Sequence, residues 1–229
     1  MKNNPVLLFA LTMTLVGLGA VYTWLLASFS VSTTAACFDA NMCDGLTFRA
    51  AAELLLQGGD PYDRSARIAH VSATVLDGDN PAFDLPFQYP PNALPWIALR
   101  GLGPAVGSAA AFTAATTTGA LLALAAWCRA GESRLAWTAV AIFWTPALFN
   151  SALTQTGALA TALAVGTLVL AKRHPTAAAI LLGLLAFKPQ YMGPLLVAAI
   201  IAKEWRFIGV ALATMLSVAA GTTLVWGTS

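Results

Sequence analysis

Three polar residues that interrupt apolar segments are the first candidates for chemistry. Lys188 lies between an apolar run and Pro189, with Gln190 next, and Gln155 lies in a polar tip at residues 150–157. A lysine near lipid either reaches the membrane surface or needs an anion, and the proline frees backbone groups beside it. The pattern therefore predicts either a phosphate site or an interfacial lysine at Lys188. At Gln155 it predicts either a polar pocket or a solvated turn.

Carboxylates are the second group of candidates, and one stretch holds most of them. Residues 30–89 contain eight of the ten acidic residues and three arginines, so this stretch is net negative by five. Asp44 and Asp60 are two of the eight, and a carboxylate beside a reacting hydroxyl can act as a general base. Asp60 also opens residues 60–63, which have the residue types of a turn. Most aspartates in such a stretch only solvate it, so composition does not choose among them.

Other residue types narrow the chemistry further. Tyr89 precedes two prolines and would bring an aromatic ring to the membrane surface, as interfacial tyrosines commonly do. Cys37 and Cys43 lie six residues apart, and both a disulfide and two free thiols remain open. Neither histidine belongs to a Cys/His cluster with metal-ligand spacing, so we expect no metal site.

The composition sets the class of protein that must position these residues. Hydrophobic residues make up 58% of the 229 residues and charged residues 10%, with a mean hydropathy of +0.73, whereas soluble domains carry about 25% charged residues. We therefore expect an integral membrane protein. The formal net charge of +2 is too balanced for a nucleic-acid-binding face, so we expect no nucleic-acid partner.

The apolar segments predict an all-α membrane domain with a long outer loop. The uncharged run 5–29 is long enough to cross a bilayer, and we expect a retained anchor rather than a cleaved signal peptide. The loop 30–89 should contain a short helix at 47–57, with Asp44 just before it, that ends at two glycines. The remaining apolar segments, several of them too short to cross alone, are 92–99, 104–127, 135–149, 157–171, 175–187, 191–202 and 207–227.

Basic residues in three connectors predict the orientation of the chain. These connectors hold Arg129 and Arg134, Lys172 and Arg173, and Lys203 and Arg206. Because cytoplasmic connectors carry an excess of basic residues, the tips at 150–156 and 188–190 are expected on the outer side, together with the acidic loop. Residues 92–99 would then be re-entrant or interfacial. Because the last apolar segment ends without a tail, we expect a single membrane domain, 1–229, that is truncated at its C-terminus.

Four motifs, in this order, resemble those of glycosyltransferase family 87. They are Asp44-x3-Phe48-Arg49-Ala50-Ala51, Gly58-Gly59-Asp60-Pro61-Tyr62-Asp63, Phe87-x-Tyr89-Pro90-Pro91 and, after a glutamine-containing tip, Leu-x-x-Lys188-Pro189-Gln190. The resemblance covers residues 1–229. It implies a polytopic enzyme of GT-C type with a polyprenyl-phosphate mannose donor, or an arabinose donor in related members, and no cofactor. Two residues depart from the usual pattern: Thr154 replaces a glycine and Phe48 replaces a tyrosine.

The resemblance also implies roles for single residues. Asp44 matches the catalytic aspartate of the first outer loop and would be the general base. The other implied roles are donor phosphate or sugar binding for Lys188, Gln190 and Gln155, contact with the prenyl chain or sugar for Tyr89, and loop shaping for Asp60 and Tyr62.

The activity implied by the resemblance is inverting sugar transfer at the outer face of the inner (plasma) membrane. Its partners would be membrane lipid, the polyprenyl-phosphate sugar and a glycolipid or glycan acceptor. A transporter or flippase of a lipid-linked sugar is the alternative, in which Lys188 holds the head group and no bond is made. A truncated, inactive product is the third possibility. Release of free polyprenyl phosphate distinguishes an enzyme from a transporter.

Overall fold

The computed structural model describes residues 28, 32, 44–74, 87, 89–130 and 155–227. Within these residues the fold is all-helical and contains no strand, as the sequence predicts. Several predicted features lie outside these residues. They are the first membrane segment, of which only Ser28 is described, the two cysteines Cys37 and Cys43, and the segment 135–149.

Eight α-helices form the described part of the chain. The first four are α1 (Asp44–Leu56), α2 (Arg64–Thr74), α3 (Leu94–Ala98) and α4 (Ala105–Ala130). The last four are α5 (Gly157–Leu170), α6 (Pro175–Leu184), α7 (Pro189–Ile201) and α8 (Trp205–Trp226). Three short 3-10 turns accompany them, at Pro91–Ala93, Leu99–Gly101 and Leu185–Phe187.

Helix α1 begins three residues earlier than predicted, so Asp44 is its first residue rather than the residue before it. The helix ends where the glycines predict. Gly58 has a φ of +76°, its N–H donates to the Leu55 carbonyl at 3.2 Å, and the N–H of Gly59 donates to the Leu54 carbonyl at 2.8 Å. This hydrogen-bond pair is a Schellman motif, which needs a left-handed residue that glycine adopts without strain.

Helix α2 was not predicted, because its sequence is polar on average and contains few large apolar residues. Its start is fixed by a side chain instead. The Asp63 carboxylate accepts hydrogen bonds from the Ser65 hydroxyl at 2.6 Å and the Ala66 N–H at 3.1 Å. These two bonds satisfy donors at the first turn of the helix, and they lower the pKa of Asp63.

In the described part of the chain, two helices are long and apolar enough to cross a membrane, namely α4 over Ala105–Trp127 and α8 over Trp205–Trp226. Helices α5, α6 and α7 are apolar but shorter, which agrees with the predicted short membrane segments. Helix α8 packs closely on α6 at Gly183, where an added Cβ would lie 2.5 Å from the Ala211 carbonyl oxygen. Close approach at small residues is typical of helix packing in membranes.

The predicted break at Lys188 is present. The 3-10 turn Leu185–Phe187 ends α6, and α7 starts at Pro189, whose ring fixes φ and whose missing N–H is not needed at a helix start. The break turns the chain back, so α6 and α7 are separate short helices rather than one long one.

The connectors of α5 to α8 lie at two different ends of this helical group. Lys172 and Glu204 line the same cavity, of about 540 Å³, so the connectors after α5 and α7 share one end. At the other end, the turn Leu185–Phe187 contacts the turn Pro91–Ala93. The basic connectors are therefore separated from Lys188 by the length of α7.

Candidate active site

Tyr89 joins three segments that are far apart in the sequence. Its ring lies edge-on to that of Phe48 in α1, with ring centres 5.2 Å apart. Its hydroxyl lies 3.4 Å from the hydroxyl of Thr156, the residue before α5. Its backbone oxygen accepts a hydrogen bond of 3.0 Å from the Tyr62 hydroxyl. Tyr89 is therefore held by α1, by the turn after α1 and by the start of α5.

The turn that carries Asp60 and Tyr62 is fixed by polar contacts. The Asp60 carboxylate accepts a hydrogen bond of 2.7 Å from the Tyr62 backbone N–H. Buried Arg67 donates to the Pro61 carbonyl at 2.8 Å. Burial, and then the negative charge of Asp60, raise the pKa of the Tyr62 phenol to about 12. The phenol is therefore neutral at physiological pH and keeps the proton that it donates to Tyr89.

Buried Arg49 and partly buried Glu53 form an ion pair on one face of α1, one helical turn apart. The other carboxylate oxygen of Glu53 contacts Nε2 of His70 in α2. Arg49 also donates to the carbonyl oxygens of Arg100 and Gly103, each at 2.9 Å. Because a buried guanidinium is costly unless its donors are used, these contacts fix α1 against α2 and against the chain before α4.

Arg100 is almost completely buried, with 1% of its surface exposed. Its guanidinium lies 4.8 Å from the ring centre of Phe48 and 5.0 Å from that of Phe112 in α4. A guanidinium between two aromatic faces is stabilised by cation–π attraction. Its backbone oxygen also accepts a hydrogen bond of 2.8 Å from the Ser108 hydroxyl. Arg100 thus connects α4 to the same aromatic side chain that contacts Tyr89.

Two of the predicted site residues flank the Tyr89 contacts in the sequence. Asp44 is the first residue of α1, one helical turn before Phe48. Gln155 is half-buried and directly precedes Thr156. The structure therefore brings the segments that carry Asp44 and Gln155 into contact with Tyr89 through Phe48 and Thr156.

Lys188 and Gln190 lie at the break between α6 and α7. Lys188 is half-buried and follows Phe187, whose ring centre lies 6.5 Å from that of Trp96 in α3. Gln190 is exposed in the first turn of α7. The break therefore lies at the same end as the Tyr89 segment. The roles expected of these residues stay predictions.

A cavity of about 330 Å³ opens at this end of the molecule. Asp60 and Tyr62 belong to its wall, together with Leu55, Gly58, Gly59, Pro61, Pro91, Leu94, Thr222, Thr223, Trp226 and Gly227. Lys188, Gln155 and Gln190 are not part of this wall. In the part of the chain that the structure describes, no group of three His, Cys, Asp or Glu side chains could hold a metal ion.

Sequence reasoning missed several residues at this end. The contact between Arg49 and Glu53 could have been predicted, since opposite charges four residues apart face each other on a helix. The positions of Arg100 and Trp226 could not have been predicted from the sequence, because they depend on contacts with α1 and with the turn at residues 58–62.

The described helices indicate the general class of the protein. It is a helical protein with two helices able to cross a membrane and with polar residues at one end. The chain belongs to glycosyltransferase family 87, whose family model matches residues 87–229. This match confirms the family that the motifs indicate. Together with the two apolar helices, it indicates a membrane location. No curated protein and no solved structure matches the chain significantly.

The family match covers only part of the candidate site. The segments with Tyr89, Gln155 and Lys188 lie inside the match, whereas Asp44 and Asp60 lie before it. The family is therefore established on the helices that follow the acidic loop, and the roles of the two aspartates depend on the motifs and the geometry.

Proposed function

We propose that this glycosyltransferase transfers mannose from a polyprenyl-phosphate donor to a lipid or glycan acceptor. The transfer inverts the configuration at the anomeric carbon. The observation that carries the proposal is the position of Tyr89. It contacts α1 one turn after Asp44, and it contacts the start of α5 beside Gln155. Three of the motif segments that resemble the family therefore meet at one place.

Asp44 acts in this proposal as the general base. An acceptor hydroxyl attacks the anomeric carbon of the sugar while its proton passes to the Asp44 carboxylate. The bond between the anomeric carbon and the phosphate oxygen breaks, and polyprenyl phosphate leaves with the electron pair. A single displacement inverts the anomeric centre. One carboxylate is enough because the leaving group is already a stable anion, so the reaction uses neither metal nor cofactor.

Lys188 supplies positive charge to the leaving phosphate in this proposal. Negative charge increases on the phosphate as the bond breaks, and a fixed cation beside it stabilises the transition state more than the ground state. Gln155 and Gln190 contact the donor phosphate or sugar, and Tyr89 contacts the prenyl chain or sugar. Asp60 and Tyr62 hold the loop through the hydrogen bond between them and the bond to Tyr89.

The charge distribution supports a site on the outer face of the membrane. Lys172 and Arg173 follow α5, and Lys203 and Arg206 flank the connector after α7, at the end away from Lys188. Cytoplasmic connectors are enriched in Lys and Arg. We therefore propose that the basic end faces the cytoplasm and that the Tyr89 segment lies on the outer side of the plasma membrane.

The proposal is tested with radiolabelled polyprenyl-phosphate mannose and membrane lipid acceptors. The native chain, Asp44→Asn and Lys188→Ala are compared at matched expression, with Lys172→Ala at the basic end as a control. We expect Asp44→Asn to lower transfer by about 10²–10⁴-fold and Lys188→Ala by about 10²–10³-fold. Lys172→Ala should retain transfer.

Release of free polyprenyl phosphate decides between transfer and transport. Full transfer by a folded Asp44→Asn variant would exclude Asp44 as the base. If the native chain moves the lipid-linked sugar across vesicles without releasing polyprenyl phosphate, the transporter interpretation replaces the enzyme. A parallel assay with the arabinose donor distinguishes the wrong sugar from an inactive chain.

A further inference from the structure

The 330 Å³ cavity has a wall of unusual chemistry for a membrane protein. It combines one carboxylate, from Asp60, with the hydroxyls of Thr222 and Thr223 and the aromatic rings of Tyr62 and Trp226. Its volume lies at the lower end of the range of about 300–1,000 Å³ for small-molecule sites. The cavity is therefore suited to one small ligand with polar groups and an apolar face.

The carboxylate side of the cavity is rigid. The Schellman motif at Gly58 ends α1, and the Tyr62 N–H fixes one carboxylate oxygen of Asp60. The Tyr62 hydroxyl is held by the backbone oxygen of Tyr89, and Arg67 holds the Pro61 carbonyl. A wall whose side chains are already held loses little conformational entropy when a ligand binds.

The other side of the cavity is formed by the last turns of α8. Thr222 is 3% exposed, and its hydroxyl donates to the Val218 carbonyl at 2.7 Å, so its oxygen lone pairs remain as acceptors. Trp226 is half-buried and is the last residue of the helix. A tryptophan has a flat apolar ring and one N–H donor.

The chemistry of the wall selects the class of ligand. A carboxylate only accepts hydrogen bonds, so the ligand must bring donors. Asp60 would repel a phosphate, and a prenyl chain would remove water from the polar groups without replacing its hydrogen bonds. A sugar ring has hydroxyl donors on its edge and C–H groups on its faces, which match the carboxylate and the aromatic rings.

We propose that this cavity is a carbohydrate-binding subsite, in which Asp60 accepts hydrogen bonds from sugar hydroxyls and Trp226 packs against the face of the ring. The inference rests on the proposed glycosyl transfer and adds a place for one of its two sugars. Tyr62 connects the cavity to Tyr89, so the bound ring lies next to the candidate active site. The sugar belongs either to the donor or to the acceptor.

Kinetic constants distinguish these two sources. Asp60→Asn keeps an oxygen for the Tyr62 N–H and removes the charge, and Trp226→Leu removes the ring. If the sugar is that of the acceptor, both variants raise the acceptor KM by 10- to 100-fold and leave donor hydrolysis by water unchanged. If it is that of the donor, both variants raise the donor KM by a similar factor. Unchanged KM values for both substrates overturn the subsite.

Matched controls separate this effect from a loss of folding. Asp63→Asn changes an exposed aspartate of the same turn, and Trp205→Leu changes a tryptophan at the opposite end of α8 that is 65% exposed. Neither residue lines the cavity. Both controls should keep native KM values, and an equal rise of KM in the controls and the cavity variants overturns the assignment.

Direct binding keeps this inference separate from the proposed function. Saturation-transfer NMR is recorded on the purified native chain with methyl α-D-mannopyranoside and with methyl α-D-arabinofuranoside. Binding of at least one probe, with a tenfold loss of affinity in both cavity variants, supports the subsite even if the chain transfers no mannose. If transfer is active but neither probe binds, or if both variants bind as the native chain does, the subsite is wrong while the proposed function stands.

Discussion

Two regions of the molecule are built in opposite ways: the loop region, residues 44–74, 87 and 89–101, and the helix pair α7 and α8. The loop region buries large and charged side chains, including Phe48 and Arg100, each 1% exposed. In α7 and α8, large apolar side chains face outward, with Leu224 86%, Ile201 76% and Leu216 61% exposed. The same chain therefore contains a region with its own polar and aromatic core and a helical region with an apolar outside.

The difference shows which solvent each region is adapted to. An exposed apolar surface of this extent is unfavourable in water and favourable against lipid. The interior of the loop region instead contains hydrogen-bonded polar groups, since Arg49 contacts two carbonyl oxygens and a carboxylate. The 330 Å³ cavity lies where these two regions meet, since Asp60 of the loop region and Trp226 of α8 both belong to its wall. In the proposed reaction, a sugar in this cavity and a lipid-linked donor in the membrane would reach the same place.

The largest expected effect comes from breaking the charge contacts of the loop region. Arg49→Met leaves Glu53 and two carbonyl oxygens without this donor. Because Glu53 is partly exposed and keeps its contact with His70, we expect a loss at the lower end of the range of about 3–5 kcal/mol for breaking a buried ion pair. Unfolding of the detergent-solubilised protein, followed by circular dichroism, measures this loss. Arg173→Met, an exposed residue in a basic connector, should change stability by less than about 0.5 kcal/mol. Equal losses would remove the contrast between the two regions.

A smaller effect is expected from breaking the packing of the helical region. An added methyl group in Gly183→Ala would lie 2.5 Å from the Ala211 carbonyl oxygen and from Cβ of Thr214, so α6 and α8 must separate. We expect a loss of about 1–3 kcal/mol in the same unfolding measurement.

The control for this substitution lies on α8 itself. Gly209 has open space where a Cβ would be placed, so Gly209→Ala should be neutral or should stabilise by up to about 1 kcal/mol. If Gly183→Ala proves as well tolerated as Gly209→Ala, close packing does not hold these helices together.

The smallest expected effect is a pH dependence of stability that comes from Tyr62 in the loop region. Because the pKa of its phenol is raised to about 12 from the ordinary value of 10.0, the folded state binds the proton more tightly than the unfolded state. This contribution is fully present below about pH 10 and is lost as the pH rises through about 12. The difference in stability between the native chain and Tyr62→Phe should therefore decrease above about pH 10.

Absorbance of the phenolate provides an independent check. The native spectrum minus that of Tyr62→Phe should show Tyr62 ionising near pH 12. Ionisation close to pH 10 would mean that the Tyr62 phenol is hydrated in solution rather than buried beside Asp60.

The sequence predicted those parts of the fold that depend on one segment at a time. The apolar segments, the break at Lys188 and Pro189, and the end of α1 at Gly58 agree with the structure. Helix α2 was missed because its sequence is polar on average, and its start is fixed by the Asp63 cap. The residues that resemble family 87 were sufficient to indicate the family, since their order along the chain is a property of the sequence.

The tertiary structure alone decided which segments meet. Hydropathy and backbone preferences act within a few residues of one another, whereas a contact between distant segments depends on how helices pack. Tyr89 is thus brought to Thr156, Arg100 is placed between Phe48 and Phe112, and Trp226 completes a cavity that begins at Gly58. The sequence determined a helical membrane protein of this family. Packing of α1, α3 and α8 determined the cavity that we propose as a sugar subsite, because its wall is made of residues from these helices and the turns beside them.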